Sequence, residues 1–249
     1  MLANPFGAGG GIADVMAALD RSLAIIEFDL SGKILSANKN FCEAMGYEAP
    51  EVVGKHHSMF VDPAYAKSDA YREFWAKLGR GEYDVGQYRR VGKGGKEVWI
   101  QASYNPVVDA GGKAFKVVKL ATDITADKLR NANHEGQIAA INRSQAVIEF
   151  DLEGKILTAN ENFLKTLGYS LKEIAGQHHR MFVDSEERES NEYKMFWKAL
   201  RDGEFQSGEY RRIARDGSDI WIQATYNPVF GPNGEPVKVV KFATDITEA

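Results

Sequence analysis

Two adjacent histidine pairs, His56-His57 and His178-His179, carry the most versatile chemistry in this sequence. A neutral imidazole can ligate a metal, take up a proton or bridge two hydrogen-bond partners. Adjacent residues point about 100° apart on a helix and to opposite faces on a strand. One histidine of each pair is therefore expected to face inward, and we assign His57 and His179 to that role. Neither pair has a cysteine or a further histidine near it. Cys42 is the single cysteine and His134 the only other histidine, so zinc ligation is not expected. Trp75 shares an apolar helix face with Tyr71, Phe74 and Leu78 at three-to-four spacing, and Trp197 occupies the matching place later in the chain. Both are expected in a core. Asn38 and Asn160 stand where helices begin, as N-caps do. The pair Arg89-Arg90 could approach a phosphate, but a solvated strand face is the expected setting. No Gly-x-Ser-x-Gly, phosphate-binding loop or metalloprotease motif is present, so no enzyme is expected.

These residues recur because the sequence repeats itself. Ile26-Glu27-Phe28-Asp29-Leu30 returns as Ile148-Glu149-Phe150-Asp151-Leu152. Trp99-Ile100-Gln101-Ala102 returns as Trp221-Ile222-Gln223-Ala224, and Ala121-Thr122-Asp123-Ile124-Thr125 as Ala243-Thr244-Asp245-Ile246-Thr247. The offset is 122 residues throughout, without gaps. A unit of that length exceeds a solenoid repeat and can hold its own core. The division expected is an N-terminal helix or cap over 1–21, a first domain over 22–126, a helical connector over 127–143 and a second domain over 144–249.

Within one copy, Ile25–Phe28 and Lys33–Ser36 form a predicted hairpin around Ser31-Gly32. A short helix runs from the Asn38 cap to Gly46, another turn covers Pro50–Gly54, and a longer helix spans Asp69–Leu78. Three strands follow: Tyr83–Arg90, Glu97–Pro106 and Phe115–Thr122. The fold class is α+β, a five-stranded antiparallel sheet with flanking helices, present twice. On the second of the three strands, Trp99, Gln101 and Ser103 alternate with Ile100, Ala102 and Tyr104, which gives it one core face and one outer face.

Composition agrees with two soluble domains. Hydrophobic residues make up 44% and charged residues 27% of 249, and the formal net charge is −4. No basic stripe points to nucleic acid. No apolar run is long enough to span a membrane, and no signal peptide is evident. A cytoplasmic location is expected.

The element order and several motifs resemble the PAS domain family. The carrying residues are Asp29–Ile34, Ala37–Phe41 with Gly46-Tyr47, Gly94–Ile100 and the closing Asp123-Ile124-Thr125, each repeated in the second copy. His57–Pro63, Phe74–Leu78 and Tyr104–Val107 resemble the paired sensor domains of bacterial methyl-accepting chemotaxis receptors, including soluble aerotaxis-type ones. That resemblance implies FAD as cofactor. Trp75 and Trp197 would lie beside the flavin, and Asn38 and Asn160 match an asparagine near it. Two departures are plain: Val61-Asp62 and Val183-Asp184 replace an Arg-His pair, and Tyr88-Arg89-Arg90 replaces a strand asparagine. The Asn-Cys-Arg motif of light-sensing relatives is absent. The function so implied is redox or oxygen sensing, relayed through the exit after Asp245-Ile246-Thr247 to a chemotaxis signalling domain expected beyond this chain. A homodimer through the N-terminal helices (Met16, Leu19, Leu23) and outer sheet faces is the expected partner arrangement. Two alternatives stand beside it: a haem oxygen sensor ligated by His57 or His179, and a cofactor-free dimerisation and relay module. Filling of the interior by Trp75 and Met59 separates the last from the others.

Overall fold

The computed structural model describes residues 11–248 and divides into two compact units, 1–132 and 133–249. The part of the expected N-terminal helix before Gly11 lies outside the described residues. In the first unit, α1 (Gly11–Ser22) leads into β1 (Ala24–Phe28) and β2 (Ile34–Ala37). Then come α2 (Lys39–Met45), α3 (Ala49–Val52), a 3₁₀ turn (His57–Phe60), α4 (Pro63–Ala66) and α5 (Asp69–Gly79). Strands β3 (Asp84–Val91), β4 (Glu97–Val108) and β5 (Ala114–Asp123) complete it. Helix α6 (Thr125–Ser144) follows. The second unit repeats the series as β6 (Ala146–Phe150), β7 (Ile156–Ala159), α7 (Glu161–Leu167), α8 (Leu171–Ile174), a 3₁₀ turn (His179–Phe182), α9 (Ser185–Glu189), α10 (Asn191–Arg201), β8 (Gln206–Ile213), β9 (Asp219–Phe230) and β10 (Pro236–Asp245). Helices α4 and α9 and the 3₁₀ turns are additions to the sequence expectation.

Each unit has one antiparallel five-stranded sheet, ordered β2-β1-β5-β4-β3 and β7-β6-β10-β9-β8. The chain enters at β1, leaves the sheet for the helices, and returns to build the other three strands, so β1 pairs with β5. Alternation on the strands decides the core. Ile26 and Phe28 on β1, Ile100, Ala102 and Tyr104 on β4, and Val117 and Ala121 on β5 are buried on one face. Phe41 and Met45 of α2, Phe60, and Tyr71, Trp75 and Leu78 of α5 close over them.

Two local devices fix the hairpin and the helix that follows. Asp29 Oδ1 accepts the backbone N–H groups of Ser31 and Lys33, at 2.9 and 3.0 Å, and Gly32 takes φ +90°. A Cβ at Gly32 would lie 2.9 Å from Trp75 Cε2 and 2.7 Å from His56 Nε2. Glycine thus permits both the turn and the approach of the indole.

Candidate functional site

His57 sits at the start of the 3₁₀ turn and is fully buried. Its Nδ1 lies 2.8 Å from the Tyr71 hydroxyl on α5, and its Nε2 lies 3.0 Å from the Tyr104 hydroxyl on β4. One side chain thereby joins the helical cap to a central strand. Arg90 Nη2 donates to the same Tyr104 hydroxyl at 2.9 Å, which leaves the phenol proton for His57 Nε2 and places the imidazole proton on Nδ1. The second unit repeats the arrangement. His179 lies 2.9 Å from Tyr193 and 3.0 Å from Tyr226, and Arg212 donates to Tyr226 at 3.3 Å.

Electrostatics hold these groups in defined states. Burial, reinforced by the nearby Lys119 and Arg90 charges, drives the His57 imidazole well below its ordinary pKa, so it is neutral. Burial and the Arg212 and Lys241 charges do the same to His179. Burial pushes the Tyr71 and Tyr193 hydroxyls up to about 12. Lys119 is itself buried, and desolvation with the Arg90 charge drives its amine well below the usual range. Its Nζ stands 4.9 Å from the Tyr104 ring centre and 5.5 Å from that of Phe41.

The other sequence candidates have specific placements. His56 stays at the surface: its Nε2 donates to the Ser31 carbonyl at 2.7 Å, and its Nδ1 accepts the Ser58 backbone N–H at 3.1 Å. The inward assignments of His57 and His179 agree with their burial. Trp75 packs edge-on against Phe28 at 5.5 Å and His57 at 5.4 Å. Trp197 does so against Phe150 at 5.6 Å and His179 at 5.5 Å. Asn38 Oδ1 caps α2 through the Phe41 N–H and also holds the Ile25 N–H, both at 2.9 Å, while its Nδ2 donates to the Leu23 carbonyl at 2.8 Å. Asn160 does the same with Phe163, Val147 and Gln145. Both asparagines therefore spend their polar groups on the backbone.

One expectation is corrected. Arg90 and Arg212 are buried in the core rather than on a solvated strand face, at 5% and 2% exposure. Only Arg89 and Arg211 point outward, paired with Glu97 and Asp219. Strand alternation explains the split: Arg90 lies two residues from Tyr88 on the inner face, and its guanidinium covers the Tyr88 ring at 4.8 Å. Tyr71 and Tyr104 were expected only as core aromatics, and Lys119 was not singled out; their part in the histidine bridge is new. Lys119 carried a usable signal, since it alternates inward with Val117 and Ala121.

A planar cofactor has no place in this interior as it is packed. Both ring nitrogens of His57 are engaged, Trp75 fills the space beside it, and Met59 packs against the same core. The cavity between Tyr193, Phe196, Tyr210 and Arg212 measures about 160 Å³, against roughly 300–1,000 Å³ for common cofactor and ligand sites. One feature points the other way: the indole N–H groups of Trp75 and Trp197 are buried without an acceptor of good geometry. Among the described residues, no group of three or more His, Cys, Asp or Glu side chains is placed to hold a metal.

The family model described as PAS fold matches residues 34–121 and 156–243. The chain belongs to the PAS family. Among curated relatives, Biofilm dispersion protein BdlA of Pseudomonas aeruginosa is 45% identical over 94% of this chain and 56% of its own length. Oxygen sensor protein DosP of Escherichia coli is 24% identical over 82% of this chain and 26% of its own length. The Aerotaxis receptor of Escherichia coli is 32% identical over 32% of this chain and 15% of its own length. The chain thus spans about half of BdlA and less of the other two. It is a tandem of PAS sensor domains resembling those of aerotaxis-type receptors. No helix among the described residues is long and apolar enough to cross a membrane.

Proposed function

We propose that this PAS pair is the sensory input of a chemotaxis-type signalling protein, and that the buried histidine bridge is its responsive element. The observation that carries the proposal is that His57 hydrogen-bonds both Tyr71 on α5 and Tyr104 on β4. Any guest that enters the interior, or any repacking of the cap, must break or tilt that bridge. Strand β4 also carries Trp99, whose N–H donates to Thr125 Oγ1 at 2.9 Å and whose carbonyl accepts the Ile124 N–H at 2.8 Å. Lys128 on the first turns of α6 covers the Trp99 ring at 5.2 Å. One strand therefore holds both the core hydroxyl and the exit motif. This supports a two-state element biased from the core and read at the exit.

Redox or oxygen sensing through FAD, the finer function the aerotaxis resemblance implies, requires Trp75 or Trp197 to swing aside and offer its free indole N–H to the flavin edge. Haem is favoured by one observation: burial keeps His57 and His179 as neutral imidazoles, the form that ligates iron. Either group would have to displace a tyrosine hydroxyl. Self-association through α1 is supported by the exposure of Met16. The function of the whole protein, including a downstream chemotaxis domain, a dimer and a cytoplasmic setting, is part of the same proposal.

The test is amide hydrogen exchange of the full chain over 123–130, compared between wild type and His57→Leu. Faster exchange there, with native protection kept on β1 and β5, supports the coupling. Unchanged exchange over 123–130 refutes it.

A further inference from the structure

The two copies share the bridge but differ at the surface above it. In the second copy, Arg180, Arg188, Lys194 and Arg201 line a cleft of about 250 Å³ together with Glu153 and Glu189. We infer that this cleft binds a small dianionic oxyanion, a phosphate ester or a dicarboxylate, and that the first copy lacks the site. As a stimulus the ligand rests on the sensory function proposed above; as a binding site the cleft stands without that reading.

Three elements bring the cations together. Arg180 stands on the second 3₁₀ turn, Arg188 on α9, and Lys194 and Arg201 on α10, where two helical turns put them on one face with Trp197 between them. All four are exposed. Among the described residues, Arg180, Lys194 and Arg201 enter no ion pair, and Arg188 meets Glu189 only at 3.9 Å. Four cations against two carboxylates leave two positive charges uncompensated in the cleft. Burial and the Arg180 charge hold the His178 imidazole below its ordinary pKa, so it adds no charge at neutral pH. A dianion cancels the excess, and guanidinium forks meet carboxylate or phosphate oxygens in pairs. The volume equals roughly eight waters at about 30 Å³ each, which matches malonate or glycerol phosphate in size. Tyr193 and Trp197 line the cleft from the core side. The Tyr193 hydroxyl lies 2.9 Å from His179 Nδ1 and the Trp197 ring 5.5 Å from the same imidazole, so a bound anion sits one side chain away from the bridge.

The first copy is the same scaffold without the charges. Ser58, Ala66 and Gly79 stand in the places of Arg180, Arg188 and Arg201. Arg72 stands in the place of Lys194, but it is ion-paired with Asp69, whose counterpart in the second copy is Asn191. Lys67, in the place of Glu189, is the one cation left unpaired at these positions among the described residues. The aromatic floor, Tyr71 and Trp75, is unchanged.

The test is calorimetric titration of the full chain with glycerol 2-phosphate and with malonate, and with acetate as the singly charged control. Tryptophan emission is followed alongside, since Trp197 lines the cleft. The expected result is one site per chain for at least one dianion, with acetate at least about tenfold weaker. The stronger of the two dianions assigns the ligand to the phosphate or the carboxylate class. Arg180→Ser with Arg201→Gly installs residues that the first copy already carries at these places, so the fold is kept, and binding should weaken by at least about tenfold. Ser58→Arg with Gly79→Arg and Asp69→Asn should add a second site. No heat with either dianion overturns the inference. So does acetate binding as tightly as the dianions, or unchanged binding in the Arg180→Ser, Arg201→Gly variant. Its failure leaves the exchange test of the bridge untouched, so the two proposals fail separately.

Discussion

Replacing Tyr104 with phenylalanine removes one oxygen atom and keeps the ring, so its effect isolates the hydroxyl. That oxygen is fully buried and serves two partners, His57 Nε2 at 3.0 Å and Arg90 Nη2 at 2.9 Å. Without it, an imidazole nitrogen and a guanidinium N–H are left in the core with no route to water. Each orphaned group costs about 1–3 kcal/mol, so Tyr104→Phe should destabilise the first domain by about 2–6 kcal/mol. At roughly 4 °C per kcal/mol for a domain of this size, the midpoint should fall by about 8–24 °C. The matched variant Tyr226→Phe should cost less. Its Arg212 bond is longer, at 3.3 Å, and Glu187 offers that arginine a second acceptor at 3.4 Å. Urea unfolding of the full chain, followed by tryptophan fluorescence, reads both variants, because Trp75 and Trp197 touch the two histidines. Equal stability of wild type and Tyr104→Phe would refute the bridge as a structural element. A larger loss for Tyr226→Phe would refute the ranking of the two copies.

Stability should fall as pH drops below about 6.5. The unfolded chain protonates His57 and His179 there while the fold keeps them neutral, so the unfolded state binds more protons and gains by up to about 1.4 kcal/mol per pH unit for each. Urea midpoints measured from pH 7.5 to 5 check the slope, which should weaken in His57→Leu. Lys119→Met should raise stability at pH 7 by about 1–3 kcal/mol, because it removes a desolvated amine and keeps the stem among Phe41 and Tyr104; an unfolding midpoint below wild type would contradict this. Gly32→Ala should cost about 2–3 kcal/mol through its positive φ and the 2.9 Å approach to Trp75, and should alter the Trp75 emission; a silent substitution would contradict the packing described.

Much of the fold was legible because local signals agreed with it twice over. The 122-residue offset gave two domains, the Asn38 and Asn160 caps marked α2 and α7, and alternation on β4 separated Tyr104 from Trp99. The inward histidine of each pair was also legible. The polar core was not. Sequence patterns place charged residues outside, since burying a charge is costly, and nothing local shows that Arg90 meets the Tyr104 hydroxyl 14 residues away across a hairpin. Lys119 and Lys241 hide for the same reason, although their alternation with buried neighbours was available. Tyr71 read as one more aromatic on a helix face, because its bond to His57 depends on how α5 lies over the sheet, which the sequence pattern does not encode. Asn38, a cap and a match to a flavin-side asparagine, turned out to bind backbone with every polar group.

The most direct measurement is the visible absorption spectrum of freshly purified full chain, before and after incubation with FAD and with haemin. A closed, histidine-bridged interior predicts a colourless protein that stays colourless after removal of unbound cofactor. Stoichiometric flavin bands or a Soret band, lost when Trp75 and Trp197, or His57 and His179, are both replaced, would contradict it and show that these cores open to hold a cofactor.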